Sequence, residues 1–84
     1  MRAVGRAFRP ERVTVFAGTT LTLRNTDDEA HGIRFEEGDL RGLDRVDPRG
    51  ADTVDVGADP GRYAFVCPLH PRMRGTLVVE RASQ

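Results

Sequence analysis

The stretch GRYAFVCPLHPRMRGTLVVE, residues 61–80, decides the fold class of this chain. Apolar side chains alternate with other residues on both sides of its central loop, at Tyr63, Phe65, Cys67, Leu77 and Val79. A period of two residues is typical of a half-buried β-strand, whose side chains point alternately to its two faces. Pro68 ends the first run because proline cannot donate a hydrogen bond to a sheet. The stretch therefore predicts two strands joined by a short loop.

The same alternation recurs upstream in short runs that are bounded by Gly, Pro, Asn and Asp. The runs are RVTVF (12–16), TLTLRN (20–25), HGIRF (31–35) and DTVDV (52–56). Short alternating runs between turn residues indicate a β-sandwich or barrel, and no window predicts an amphipathic helix of normal length. Segment 37–50 is the least strand-like part, and we interpret it as a long loop or a single helical turn. We predict an all-β protein with one layer packed on another, as a single domain over residues 1–84.

Composition and charge limit the possible functions. The 84 residues include 13 arginines and no lysine, balanced by 13 acidic residues, so the formal net charge is zero. The arginines are spread along the chain, and no basic patch indicates nucleic-acid binding. A single cysteine excludes an internal disulfide. No apolar run approaches the length of a membrane span, and the first residues lack the hydrophobic region of a signal peptide. The chain is therefore expected to be cytosolic, or to have lost an export signal before a start methionine was added.

Residues 67–73, CPLHPRM, concentrate side chains that bind metals. They include the only cysteine, one of two histidines and one of two methionines. Taken singly, each has an ordinary structural explanation, as a small buried residue, a solvated ring or a gap-filling side chain. Together, Cys67, His70 and Met73 stand three residues apart, and a tight loop can direct a thiolate, an imidazole and a thioether to one point. Such soft donors select copper, whereas the same set without Met73 also suits zinc.

His31 is the only other histidine, and it opens the run HGIRF after a polar turn. At that position it can lie at one end of a sandwich, beside the loop that follows a neighbouring strand. Two histidines, one cysteine and a thioether are the ligands of a blue-copper electron-transfer site. Four protein ligands leave no open position for a substrate, which disfavours an enzyme. Two alternatives with the same ligands remain open, namely a copper-binding or copper-delivery module and a structural zinc domain.

These residues resemble those of the cupredoxins, and among them the amicyanin and plastocyanin group. The loop has the short Cys-x-x-His-x-x-Met spacing of amicyanins, residues 61–80 are similar to the last two strands of the family, and residues 8–35 are similar to its early strands. The resemblance implies a small Greek-key β-sandwich of about seven to eight strands. It also implies one mononuclear copper site that cycles between Cu(I) and Cu(II). Its ligands would be His31, Cys67 and His70 in the equatorial plane and Met73 on the axis.

The same resemblance implies a role and a location. The expected function is that of a type 1 copper protein, a one-electron carrier between redox partners such as a cytochrome or an oxidoreductase. We expect a monomer in the periplasm or outside the cell, with no nucleic-acid partner and no membrane span.

Two positions depart from the family pattern. Gly32 follows the first histidine where the family commonly has Asn, and Pro68 follows the cysteine where it commonly has Thr or Ser. Those side chains usually join the two ligand loops by a hydrogen bond, so their loss predicts a less rigid site. The backbone N–H groups of Gly32 and Leu69 are predicted to donate to the Cys67 sulfur, which would replace part of that rigidity. The acidic run at 27–29 is expected to be a solvated turn that gives this end of the molecule negative charge.

Overall fold

The structure is a computed structural model that describes residues 1–36, 40–57 and 59–81. The described residues form nine strands, namely β1 (Arg2–Val4), β2 (Ala7–Arg9), β3 (Arg12–Phe16), β4 (Thr20–Asn25), β5 (His31–Phe35), β6 (Leu43–Val46), β7 (Ala51–Asp55), β8 (Gly61–Val66) and β9 (Arg74–Glu80). This part of the chain contains no helix long and apolar enough to cross a membrane. The predicted all-β class is confirmed, with more strands than the seven to eight expected.

The strands form two sheets that pack face to face. One sheet has four strands in the order β2-β1-β4-β7, and the other has five in the order β3-β9-β8-β5-β6. Most neighbouring strands are antiparallel, whereas β1 runs parallel to β4 and β3 runs parallel to β9. Strands that follow one another in the chain often lie in different sheets, so the chain crosses repeatedly between the two layers. This is the β-sandwich that the alternating runs predict.

The core lies between the sheets and consists of the alternate side chains that the sequence pattern selects. In β4, Leu21, Leu23 and Asn25 are buried, and the residues between them are exposed. Phe65 of β8 packs across the two sheets against Phe8 of β2, with ring centroids 5.0 Å apart and the rings edge-on. Burying one such side chain fully contributes about 1.5–3 kcal/mol relative to leaving it exposed. Each correctly placed strand therefore adds to the stability of a small core.

Segment 37–50 is where the sequence prediction is wrong. Residues 43–46 form β6, a strand at the edge of the larger sheet that pairs antiparallel with β5. Its apolar ends enclose Asp44 and Arg45, which are both exposed, so no alternation reveals the strand in the sequence. The expected loop also includes residues 37–39, which lie outside the described residues.

Two short N-terminal strands carry little sequence signal. β1 and β2 have three residues each, and only Ala3 and Phe8 among them are buried. In the tight turn that joins them, Gly5 and Arg6 have positive φ values of 60° and 57°. Two successive positive φ values match the twist of a β-hairpin. Because β1 pairs with the end of β4 (Ala3↔Asn25), the hairpin turn lies against the turn between β4 and β5.

Candidate metal centre

The loop between β8 and β9 is closed by three backbone hydrogen bonds. The Cys67 N–H donates to the Met73 carbonyl at 2.9 Å, and the Met73 N–H donates to the His70 carbonyl at 2.8 Å. The His70 N–H donates to the Cys67 carbonyl at 3.2 Å. When backbone hydrogen bonds join residue i to residue i+3, side chains three positions apart lie on the same side of the chain. The three-residue spacing therefore brings the thiol, the imidazole and the thioether to the same side of the loop.

The second histidine meets this loop from the neighbouring strand. His31 is the first residue of β5, its side chain is fully buried, and its Nδ1 lies 3.8 Å from Cys67 Sγ. The His31 and His70 rings lie side by side, with centroids 5.0 Å apart and planes inclined by 57°. Met73 is buried in the same cluster as Cys67. The structure thus brings together all four residues that the sequence analysis singles out.

Two carboxylates of the turn between β4 and β5 contact the outer nitrogens of the histidines. Asp27 Oδ2 lies 2.8 Å from His31 Nε2, and Glu29 Oε2 lies 3.1 Å from His70 Nε2. When a carboxylate accepts a hydrogen bond from the N–H of one ring nitrogen, the other ring nitrogen keeps a free lone pair, as in most metal-binding histidines. Nδ1 of His31, which faces Cys67 Sγ, is therefore available to a metal, and Glu29 lies against the outer edge of the His70 ring.

Sequence reasoning missed the role of Asp27 and Glu29, which it described as part of a solvated turn. The signal is their spacing, since they precede His31 by four and two residues. That spacing alone does not identify their partners, because Glu29 contacts the distant His70. The pair Glu29–His70 also joins the two ligand loops directly. This contact replaces the side-chain link whose loss predicted a less rigid site.

Asp27 is held in its ionised form by its neighbours. The hydrogen bond from His31 is the largest cause that lowers the pKa of Asp27 from 3.8 to about 2. The second cause is the Arg6 N–H, which donates to the same carboxylate oxygen at 3.0 Å. Hydrogen bonds to the ionised form of a carboxylate favour that form. Near neutral pH Asp27 is therefore ionised, and it accepts a hydrogen bond from the His31 ring.

Gly32, the first departure from the family pattern, is explained by the strand beside it. A Cβ atom at this position would run into the Leu43 carbonyl oxygen and lie 2.8 Å from that of Asp44. The β5–β6 register is irregular at the same point, between His31 and Ile33. No side chain fits between these backbones, so glycine is required here where the family commonly has asparagine.

The predicted backbone donors to the cysteine sulfur are not formed. Among the hydrogen bonds of the described residues, neither the Gly32 nor the Leu69 N–H reaches Cys67 Sγ, whose contact is His31 Nδ1. The loop instead uses the Cys67 carbonyl as an acceptor for the His70 N–H. That turn leaves Leu69 at the surface, with 46% of the residue exposed. The prediction of two amide bonds to sulfur is therefore wrong.

The donor atoms fit copper better than a harder metal. Within residues 1–36, 40–57 and 59–81, no group of three or more His, Cys, Asp and Glu side chains, His31, Cys67 and His70 included, is already arranged to hold a metal ion. Cys67 Sγ lies 3.8 Å from His31 Nδ1, the His70 ring lies beside the His31 ring, and the Met73 side chain is buried in the same core as Cys67. Thiolate and thioether sulfurs with imidazole nitrogens are the soft donors that select copper.

Comparison with known proteins relates this sandwich to a family. The sequence matches the cupredoxin-like domain family over residues 2–79. The chain belongs to that family. A relative of this cupredoxin is amicyanin-alpha from Methylorubrum extorquens, which is 34% identical over 76 residues. The match covers 87% of this chain and 64% of the relative, so the chain spans just under two thirds of the length of that protein.

Solved structures of amicyanin share the fold of this cupredoxin. A reduced tryptophan-to-tyrosine mutant and an oxidised proline-to-alanine mutant both superpose with a TM-score of 0.84 at 24% identity. A reduced proline-to-phenylalanine mutant superposes with a TM-score of 0.82 at 26% identity. Each match covers 94% of this chain and 78% of the other. The likeness confirms the cupredoxin resemblance that the loop spacing indicates.

Proposed function

We propose that this cupredoxin is a type 1 copper protein that carries single electrons between redox partners. His31, Cys67, His70 and Met73 would hold the copper ion. The observation that supports this proposal most directly is the buried Cys67 thiol 3.8 Å from His31 Nδ1, beside a second imidazole. Solved amicyanins are described in Cu(I) and oxidised forms, and the likeness to them supports copper as the metal of this chain.

Copper held by such ligands supplies one-electron exchange between Cu(II) and Cu(I). The chain contributes a fixed environment for both oxidation states. Cys67 and Met73 are buried, and carboxylates hold both histidine rings, so the ligands need little rearrangement when an electron enters or leaves. Four protein donors leave no open position for a substrate, which favours a carrier over an enzyme.

Electrons are expected to pass through His70, whose side chain is 23% exposed. Beside it, Leu69 and Pro71 are exposed, and together with Arg6, Arg72 and Met73 they line a depression of about 420 Å³. A small apolar surface suits brief docking, because electron-transfer encounters bury little area. The partner is a redox protein such as a cytochrome or an oxidoreductase, met by a monomer in the periplasm or outside the cell.

The test is to add Cu(II) to the metal-free protein and record the visible spectrum. We expect one copper per chain, an intense blue or green colour from thiolate charge transfer, and a reversible one-electron wave in voltammetry. Cys67→Ser should remove the colour. A colourless protein that binds zinc and unfolds on chelation would identify a structural zinc domain instead. Binding of Cu(I) with transfer of the metal to an acceptor, and with no reversible wave, would identify a delivery module.

A further inference from the structure

Arg6 of the N-terminal hairpin contacts both carboxylates that hold the histidines. Its backbone N–H donates to Asp27 Oδ2 at 3.0 Å. Its guanidinium donates to Glu29 Oε1 from Nε at 2.9 Å and from Nη2 at 2.6 Å. One residue therefore reaches the acidic turn by two independent routes, one through the backbone and one through the side chain.

Each route continues to a different histidine. Asp27 Oδ2 accepts from Arg6 and also contacts His31 Nε2. Glu29 divides its contacts between its two oxygens, with Oε1 toward Arg6 and Oε2 toward His70 Nε2 at 3.1 Å. The guanidinium therefore leaves Oε2 free for the imidazole while it fixes the plane of the carboxylate.

We propose that Arg6 is a positioning residue that orients both metal-binding histidines, His31 through Asp27 and His70 through Glu29. The proposal rests on the metal site described above. Contacts one step removed from a metal fix the orientation and tautomer of its ligands. Here the hairpin turn, which is distant in sequence from every ligand, supplies that fixed point.

The side chain of Asn25 fixes the backbone of the turn that carries both carboxylates. Asn25 is fully buried, and its Oδ1 accepts from the Asp27 N–H at 2.9 Å. Its Nδ2 donates to the Glu29 carbonyl at 2.8 Å and to the Val46 carbonyl at 3.0 Å. The backbone on either side of the acids is thereby fixed. What Arg6 adds is the direction of the two side chains.

Loss of the Arg6 guanidinium is expected to change the orientation of the histidine rings rather than the stability of the protein. The Arg6 and Glu29 side chains are 63% and 43% exposed. An exposed ion pair contributes little to the free energy of unfolding. Removing the guanidinium should therefore leave the protein folded while it frees the Glu29 carboxylate, and with it the outer edge of His70.

The chain offers a matched control on the same turn. Arg49 also has a positive φ, at 68°, and its guanidinium donates to Asp28 Oδ1 at 3.0 Å. Asp28 stands between the two acids that hold the histidines. Arg6→Asn and Arg49→Asn thus each remove one guanidinium from the turn at a position whose backbone Asn tolerates.

The first measurement uses the metal-free protein, with the ring nitrogen shifts of both histidines read by NMR at about pH 8, where a free imidazole is neutral. In the wild type we expect both rings to carry the proton on Nε2. In Arg6→Asn, His31 should keep that tautomer, because the backbone N–H to Asp27 remains, whereas His70 should become a mixture. Arg49→Asn should match the wild type. An unchanged His70 in Arg6→Asn, or an equal change in Arg49→Asn, overturns the proposal.

The second measurement uses the copper-loaded protein. Arg6→Asn should weaken copper binding about tenfold, the lower end of the range for such outer contacts, and should shift the reduction potential. Glu29→Ala breaks the same link from its other side and should reproduce the effect, and the double variant should lose no more than either single one. Additive losses would contradict the proposal. A wild type without the charge-transfer colour would refute the copper site alone, since the tautomer measurement needs no metal.

Discussion

The two nitrogens of each proposed ligand histidine have separate tasks. In the proposed copper site Nδ1 of each ring would bind the metal, while Nε2 lies within 3.1 Å of a carboxylate of the turn between β4 and β5. The His31 ring is fully buried, whereas the His70 side chain is 23% exposed. We therefore expect the first ring to have a structural role and the second to exchange electrons with a partner.

The Asp27 carboxylate should make the stability of the protein depend on pH. Its pKa is lowered to about 2, below the unfolded value of 3.8, so its contribution is fully present above about pH 4 and is lost as the pH falls toward 2. We expect Asp27→Asn to be less stable than the wild type at neutral pH, with a difference that shrinks between pH 4 and pH 2. Urea unfolding across this range measures it.

The control is Asp28→Asn, which removes an acid from the same turn. Its ion pair with Arg49 is largely exposed on both sides, so we expect little change in unfolding free energy at either pH. A deficit for Asp27→Asn that is as large at pH 2 as at pH 7 would show that the bond to His31 does not depend on ionised Asp27.

A strand was predictable from the sequence when its buried and exposed residues alternate regularly. β4 alternates buried and exposed residues along its whole length, and its sequence reveals it. β6 does not, because Asp44 and Arg45 are both exposed, and it is defined by its partner β5 rather than by its own pattern. The proximity of His31, Cys67, His70 and Met73 was predictable from their chemistry and spacing. The contacts that Asp27 and Glu29 make with Arg6 were not, since Arg6 lies more than 20 residues from both of them in the chain.

Because β6 lies close to β5 at Gly32, we expect this position to tolerate no larger residue. A Cβ atom there would collide with the backbone of β6, which cannot yield as a flexible side chain would. We expect Gly32→Ala to lower the free energy of unfolding by about 1–3 kcal/mol, the usual cost of overpacking. The charge-transfer band of the copper form should also change, because His31 is the adjacent residue.

Gly57→Ala is the matched control for that measurement. Among the described residues, a Cβ atom at Gly57 meets only Leu40 Cδ2, at 4.0 Å, which is an ordinary contact. Chemical denaturation of both variants compares the two sites. Equal stability of Gly32→Ala and Gly57→Ala would mean that β6 moves away from β5 at no cost.

At the scale of the whole molecule, the site occupies one end of the sandwich. The loop 67–73 leads into the start of β9, and the parallel strand β3 runs beside β9 with Phe16 level with Glu80 at the other end. Seven residues of strand span about 23 Å. Two of the exposed large apolar side chains of the described residues therefore lie far apart, Leu69 at the metal end and Phe16 beside the far end of β9, with 46% and 51% exposed.

This separation gives a direct test of the docking face. Leu69→Glu places a charge at the centre of the small apolar surface around His70, where docking would have to remove its water. We expect electron transfer to the natural partner to slow by about tenfold, which corresponds to about 1.4 kcal/mol of docking free energy. The visible spectrum should stay nearly unchanged, because the Leu69 side chain is exposed to solvent whereas Cys67 is buried. Phe16→Glu adds the same charge at the far end and should leave the rate as it is. If the two variants transfer electrons equally fast, the partner does not dock at His70, and electrons leave the site by another face.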